Sequence, residues 1–186
     1  RYFPGQPGDT TVFGWQVMAL KSAQLAGLHV PGETLRRAQG FLDQVQSEGG
    51  AYYGYMTPER QPTPTAVGLL SRMYYGWPQG DSRLARGVEY LEKLGPSRTD
   101  MYFNYYATQV MHHYEGDGWD EWNREVRDRL IATQARRGHE HGSWYFNDEH
   151  GKSGGRLYTT AMCIMILEVY YRYMPLYSRR AIDQDF

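Results

Sequence analysis

The chain has 186 residues, a formal net charge of −1 and 22% charged residues. A chain of this length suits one domain, and its balanced charge provides no field that would attract nucleic acid or an anionic membrane surface. Its single cysteine, Cys163, excludes a disulfide within the chain and leaves the cellular compartment open.

Seven segments along the chain have the composition and spacing of helices. Four of them are apolar on nearly every face, which predicts helices that are buried on all sides. These four are residues 9–26, 65–75, 100–114 and 156–173. The other three carry one apolar stripe and one polar face, which is typical of partly exposed helices. These three are residues 33–46, 81–94 and 119–134.

The strict alternation of the two kinds predicts an all-α fold, with an inner layer of buried helices and an outer layer of amphipathic ones. Each inner segment also carries a small residue that would let neighbouring helices approach closely: Gly14, Gly68, Ala107 and Ala161. We expect residues 1–178 to form one helical-repeat domain and the charged residues 179–186 to form a mobile terminus.

Two further expectations concern the chain as a whole. The longest apolar run, residues 157–170, is interrupted by polar side chains and is too short to cross a bilayer. Because the chain begins with Arg1 rather than Met, we expect it to be part of a longer protein.

A recurring pattern links the end of each outer helix to the loop after it. It runs from a basic and a small residue through an aromatic–aliphatic pair to Gln, and then to Gly-x-Trp. Residues 37–52 follow it throughout, residues 86–91 follow its first half, and residues 130–144 follow its second half with a longer spacer. The matching positions are Arg37, Ala38, Phe41, Leu42, Gln46, Gly50 and Tyr52; Arg86, Gly87, Tyr90 and Leu91; and Leu130, Gln134, Gly142 and Trp144.

This pattern resembles the QW motif of the squalene-hopene cyclases and the related prenyltransferase-like repeat proteins. Two departures are Tyr52 in place of the Trp and Gly95 in place of the second Gln. Because the last backbone carbonyls of a helix need partners and a Gln amide both donates and accepts, we expect a structural role for Gln46 and Gln134. They would fasten each outer helix to the following loop.

The resemblance implies an α/α toroid, also called an α/α barrel, in which inner helices surround a central cavity. A complete toroid of this family has six helix pairs, whereas this sequence supplies three pairs and one further inner helix. The chain would then be a toroid fragment that a second copy, in a homo-oligomer, or a missing N-terminal half completes.

The catalytic residues of these families are absent at the matching positions. Cyclases of this type protonate an alkene with an Asp from an Asp-x-Asp-Asp-Thr-Ala motif, but residues 6–11 keep only Asp9 and Thr10 of it, and Gly8 stands at the protonating position. Asp9 is therefore better interpreted as a helix N-cap. The zinc-ligating His of the protein prenyltransferases is replaced by Thr159, which is not a usual zinc ligand.

Two other kinds of site, a metal site and a reactive cysteine, lack the sequence features that they require. His139, His141 and His150 lie with acidic residues in one segment, but no spacing typical of a zinc site is met, so we predict no metal site and no cofactor. Cys163 lies in an apolar helix, where a thiol is inert.

A binding site is expected at the end where the inner helices begin, because polar groups there lie above apolar walls. The candidate ligand-binding residues are Asp9, Trp15, Asp100, Tyr102, Asn104, Tyr106, Arg156 and Tyr158. Such a mouth suits a hydrophobic or isoprenoid-like small molecule.

Three functions stay open at this stage. The first is a non-catalytic toroid domain that binds such a molecule or a protein partner. The second is part of an active terpene cyclase, an isomerase or lyase whose acid lies outside this fragment. The third is a purely structural interaction scaffold, because helical arrays present large concave surfaces.

Overall fold

The computed structural model describes residues 5–172 and 176–177, so the expected terminus at 179–186 lies outside the described part. Within it, the seven predicted helices and the all-α class are confirmed. The helices are α1 Thr10–Leu25, α2 Gly32–Val45, α3 Pro62–Tyr74, α4 Ser82–Leu94, α5 Met101–Tyr114, α6 Trp119–Thr133 and α7 Glu149–Arg172. A small antiparallel hairpin, not expected from the sequence, joins β1 Gln46–Ser47 to β2 Tyr52–Tyr53. No described helix has both the length and the apolarity that a membrane crossing requires.

The chain divides into two compact units, Arg1–Glu89 and Tyr90–Phe186, and the division falls inside α4. In the first unit α3 packs against α1 and β2, and α2 also contacts α1. In the second unit α5 packs against α7 and α6. The single domain over 1–178 and the toroid both stay predictions.

The central helix of each unit is buried around its circumference. The buried residues run without a break over 64–73 in α3 and over 101–113 in α5. The amphipathic helices α2 and α6 bury only one face each, at Leu42 and Val45 in α2. These four helices therefore have the burial that their apolar patterns predicted.

The prediction that 9–26 and 156–173 are buried on all sides is wrong. Helix α1 buries only Thr10, Gly14 and Val17 and leaves Leu25 72% exposed. Helix α7 leaves Leu157 85% exposed. Apolar residues on every face allow a helix to be buried on every side, but burial also requires neighbouring elements on those sides. Each of these two helices packs against other elements on one side only.

Helix ends follow local chemistry. Helix α3 begins three residues before the predicted start, at Pro62, because proline is favoured in the first turn of a helix. Helix α7 includes a leading segment, residues 149–154, that Gly155 separates from the apolar helix with φ 68° and ψ −166°. Only glycine adopts such angles without strain.

The second QW-like segment joins α6 to the loop that follows it, as expected. The Gln134 side-chain amide donates to the Gly142 carbonyl at 2.9 Å. The Trp144 indole N–H donates at 2.7 Å to the Leu130 carbonyl, which also accepts from the Gln134 N–H at 3.1 Å at the end of α6.

The first QW-like segment achieves a similar link through a different partner. The Gln46 amide oxygen accepts from the Arg72 guanidinium of α3 at 3.2 Å, and the same guanidinium donates to the Tyr53 hydroxyl at 3.0 Å and pairs with Asp43. The Tyr52 ring lies under the Arg60 guanidinium, 4.2 Å from its carbon. Here a buried arginine, rather than the Gln itself, joins α2, the hairpin and α3.

Gly68 allows a close approach, as expected, but the element that approaches it is the hairpin rather than a neighbouring helix. A Cβ atom at this position would collide with the Tyr53 ring from the hairpin. We expect Gly68→Ala to lower the free energy of unfolding by about 3 kcal/mol, since the buried ring and the hairpin must both shift. Gly40→Ala in α2 is the matched control, because an added Cβ there meets no atom within 4 Å.

We expect the Gly40 substitution to raise stability by about 0.5 to 1 kcal/mol through helix propensity alone. Urea unfolding of the full chain measures both values. Equal effects of the two substitutions would contradict the proposed contact.

Candidate functional site

Four ring side chains meet where α5 and α7 begin, and we call them the ring cluster: Tyr102, Tyr106, His150 and Tyr158. Ring centroids are separated by 5.2 Å between Tyr102 and Tyr106, 5.3 Å between Tyr102 and His150, and 6.1 Å between His150 and Tyr158. The two tyrosines of α5 are four residues apart and so project from the same face of the helix. Three of the four were candidates from the sequence.

His150 is the member that the sequence analysis did not place in this site. It lies in the leading segment of α7, which precedes the predicted helix at 156–173, and its exposed ring lies over the buried Tyr102. Residues 150, 154 and 158 recur at intervals of four, and a Cβ at Gly154 would lie 2.6 Å from the Tyr158 Cβ. Because Gly155 breaks the helix between His150 and Tyr158, no helical periodicity in the sequence signals that the two rings meet.

Two carboxylates lie beside the ring cluster. Asp100 caps α5 by accepting from the Phe103 N–H at 2.8 Å, and Asp148 accepts from the Gly151 N–H at 2.7 Å. Burial raises the pKa of the Tyr158 hydroxyl well above its usual range, and the charges of Asp100 and Asp148 raise it further. The phenol therefore keeps its proton at physiological pH and is a hydrogen-bond donor.

The Tyr158 hydroxyl is buried and has no hydrogen-bond partner among the residues that the structure describes. The ring itself is only half-buried, so the polar atom is the part that is removed from solvent. A buried polar group without a partner costs about 1 to 3 kcal/mol, and native proteins keep few of them. In the other unit the Tyr75 hydroxyl is in the same situation.

Two other candidates from this unit are occupied by structural contacts. Both ends of the Asn104 amide bond the backbone of Ser97, at 2.8 and 2.9 Å, so this side chain fixes the turn before α5. The Arg156 guanidinium pairs with Glu140 at 2.9 Å and donates to the Ser143 hydroxyl at 3.3 Å. Neither residue belongs to the ring cluster.

Asp9 and Trp15 belong to the first unit. Asp9 is the N-cap of α1, as predicted, and accepts from the Val12 N–H at 3.0 Å and from the Thr11 hydroxyl at 2.6 Å. Although burial by itself raises its pKa, these hydrogen bonds keep the pKa below its usual value. An ionised carboxylate has no proton to donate to an alkene. Trp15 is 37% exposed on α1.

The positions tested for other chemistry are structural as well. The Thr159 hydroxyl donates to the Trp144 carbonyl at 2.6 Å. Burial raises the pKa of the Cys163 thiol to about 12, which agrees with an inert core cysteine. Within residues 5–172 and 176–177, no three His, Cys, Asp or Glu side chains gather closely enough to hold a metal ion.

Two clefts open at the opposite end of α5, with volumes of about 350 and 300 Å³. The first is lined by His112 and Trp119, whose rings lie 4.9 Å apart, and by acidic side chains. Asp120 and Glu121 are in the first turn of α6, where carboxylates stabilise a helix through its dipole. The acidity of the clefts is thus explained in part by helix stability, and it does not suit an apolar ligand.

Searches of protein-family models, of curated proteins and of solved structures found no match for this chain. Membership of the squalene-hopene cyclase-like family therefore stays a prediction from the sequence.

Acid should destabilise the protein through His113. Burial, together with the neighbouring His112, lowers the pKa of His113 to about 3 from an ordinary value of 6.5. Below pH 6.5 the unfolded chain therefore binds a proton at His113, whereas the native state does not bind it until the pH falls to about 3. We expect His113 to contribute a loss of about 1.4 kcal/mol per pH unit as pH falls from 6 to 4.

The measurement is urea unfolding of the full chain at pH 7, 6, 5 and 4. His113→Gln removes the titrating group, so this variant should show a shallower dependence on pH. An unchanged dependence would show that His113 is not the group responsible.

Removing the buried hydroxyl should not weaken the fold. We expect Tyr158→Phe and Tyr75→Phe to leave the free energy of unfolding unchanged or to raise it by about 1 kcal/mol, because each deletes a buried donor that bonds nothing. Tyr53→Phe is the control, since it deletes a hydroxyl that accepts from Arg72 at 3.0 Å. That variant should lose about 1.5 to 3 kcal/mol. A comparable loss on Tyr158→Phe would mean that its hydroxyl does have a partner.

Proposed function

We propose that this chain is a non-catalytic domain of the α/α-toroid type, similar to the squalene-hopene cyclases, that binds an amphipathic, isoprenoid-like small molecule. The polar end of the ligand would lie at the ring cluster, and its apolar chain would lie along α7. The observation that carries the proposal is the buried Tyr158 hydroxyl, which has no partner in a cluster of rings.

The exposed side of α7 supports the apolar half of the proposal. Leu157, Ala161 and Ile164 are exposed and recur at helical spacing. Glu168, which pairs with Arg172, interrupts the apolar stripe before Tyr171, which is 81% exposed. From residue 157 to residue 171 the helix rises about 20 Å. Burying apolar surface on such a stripe contributes about 25 cal/mol per Å².

Leu157 and Tyr158 are consecutive residues, so the two features lie on the same turn of α7 but about 100° apart around it. To reach the Tyr158 hydroxyl, the polar end would displace the exposed His150 ring. Gly151, Gly154 and Gly155 give that segment little side-chain volume, and Gly155 already breaks the helix. A local movement of residues 149–154 would therefore leave the rest of α7 in place.

A catalytic role has less support. Asp9, the last remnant of the cyclase acid motif, is an ionised helix cap, and Thr159 is occupied by the Trp144 carbonyl. Carbocation chemistry needs an acid that holds a proton, and the candidate residue does not hold one. Binding without turnover is the function that these residues fit.

The test uses three ligands with the same geranylgeranyl chain, which are the alcohol, the amine and the diphosphate. We expect at least one to bind saturably in isothermal titration calorimetry, and to slow hydrogen exchange in residues 101–108 and 149–171. No saturable binding by any of them, or protection confined to the first unit, would contradict the proposal.

A matched pair of surface variants tests where the apolar chain of the ligand binds. Leu157→Gln should weaken binding about tenfold because it makes the stripe polar, without unfolding a residue that is 85% exposed. Leu28→Gln makes the same change at a position in the first unit that is 64% exposed, and it should bind like the wild type.

A further inference from the structure

The leading segment of α7, residues 149–154, makes few buried contacts with the rest of the protein. Gly151 is its one buried residue, and the other five are exposed. Two of its backbone N–H groups bond Asp148, because Gly151 donates to the carboxylate at 2.7 Å and Lys152 donates to the backbone carbonyl at 2.9 Å. Segments with so few buried contacts open at a lower free-energy cost than the core of a protein.

The leading segment lies against the ring cluster at two points. The His150 ring lies 5.3 Å from the Tyr102 ring and 6.1 Å from the Tyr158 ring, measured between centroids. Gly154 approaches Tyr158 so closely that an added Cβ atom would be 2.6 Å from the Tyr158 Cβ. A ligand that binds the ring cluster from this side therefore competes with the His150 ring for the same surface.

Gly155 gives the leading segment a hinge. It joins the segment to the apolar helix with φ 68° and ψ −166°, a conformation that is essentially restricted to glycine. An added Cβ atom at Gly155 would meet no atom within 4 Å, so lack of space is not what requires a glycine there. What this position requires is the backbone conformation that places the leading segment on the ring cluster.

We propose that the leading segment is an autoinhibitory lid that pivots at Gly155. In the closed form the His150 ring occupies the ring cluster, and the open form is the one that admits a ligand. The pivot does not depend on the proposed function, whereas the competition with a ligand rests on it.

This arrangement has a consequence that a purely structural segment would not have. A ligand that binds only the open form binds more weakly in proportion to the fraction of molecules that are open. Changes that loosen the closed form should therefore tighten binding. Damage to an ordinary binding surface has the opposite effect.

Gly155→Ala tests the pivot, because alanine strains the closed backbone conformation without adding a contact. Hydroxyl-radical footprinting of the full chain, read by mass spectrometry, measures how readily solvent reaches Tyr102, which is 7% exposed in the closed form. We expect its oxidation to rise several-fold in Gly155→Ala. Gly138→Ala is the matched control in another loop of the same unit, since Gly138 has φ 67° and an added Cβ there also meets no atom within 4 Å. It should leave the oxidation of Tyr102 unchanged.

His150→Ala tests the competition, because it removes the competing ring. The ring is exposed, so this variant should fold even if Gly155→Ala does not. Isothermal titration calorimetry is carried out with geranylgeraniol, geranylgeranylamine and geranylgeranyl diphosphate. Any of the three that binds the wild type should bind both variants about three- to tenfold more tightly. His139→Ala, which removes a histidine side chain that is 95% exposed on another loop, should bind like the wild type.

The outcomes are distinct. Unchanged oxidation of Tyr102 in Gly155→Ala would overturn the lid. Equal or weaker ligand binding by Gly155→Ala and His150→Ala would overturn the autoinhibitory role and leave the proposed function standing. If none of the three ligands binds the wild type, the proposed function and the autoinhibitory role are both rejected, and footprinting alone decides whether the leading segment opens.

Discussion

The second unit depends on keeping α5 out of water. Thirteen consecutive residues of this helix are buried, and eight of them have side chains that can form hydrogen bonds. Such a helix is stable only if the elements around it supply partners for its polar atoms. Asn104 bonds the Ser97 backbone, Gln109 donates to the Tyr105 carbonyl at 3.4 Å, and Thr108 accepts from the Trp122 indole at 3.0 Å.

These three hydrogen-bonded side chains are the comparison that makes the Tyr158 hydroxyl informative. The partners of α5 are supplied by the turn before it, by its own backbone and by α6, so the local structure is able to pair buried polar atoms. The Tyr158 hydroxyl, on the facing helix α7, has no such partner among the described residues. A phenylalanine would supply the same ring without the unpaired donor, so packing alone does not account for a tyrosine at this position.

The sequence was sufficient for helix number, helix positions and the cap at Asp9, because caps and the 3.6-residue period are local. It failed where the answer depends on what lies next to a helix. The segments 9–26 and 65–75 look alike in composition, yet only the second is covered on all sides. The link from Gln46 to Arg72 was also beyond local reasoning, since Gln46 lies in β1 and Arg72 lies in α3, 26 positions further along the chain.

The candidate-site residues divide in the same way, into those that local sequence patterns predict and those whose contacts come from elsewhere in the chain. Tyr102 and Tyr106 follow from helical spacing, and Tyr158 follows from the matching start of the next inner helix. Asn104 and Arg156 share those positions, but their side chains are used by neighbouring backbone and by Glu140. His150 was missed because its segment is rich in glycine, which predicts a loop more strongly than a helix.

Two unfavourable features occur side by side on α7, and they are of opposite kinds. The Tyr158 hydroxyl is a polar atom that is buried, and the Leu157 side chain is an apolar group that is exposed. A helix chosen for stability alone would exchange these properties, since each costs free energy in its present environment. A single amphipathic molecule would relieve both, because its polar end meets the hydroxyl and its chain covers the stripe. No rearrangement of the protein's own side chains does this, since the two residues are consecutive and project in different directions from one helix.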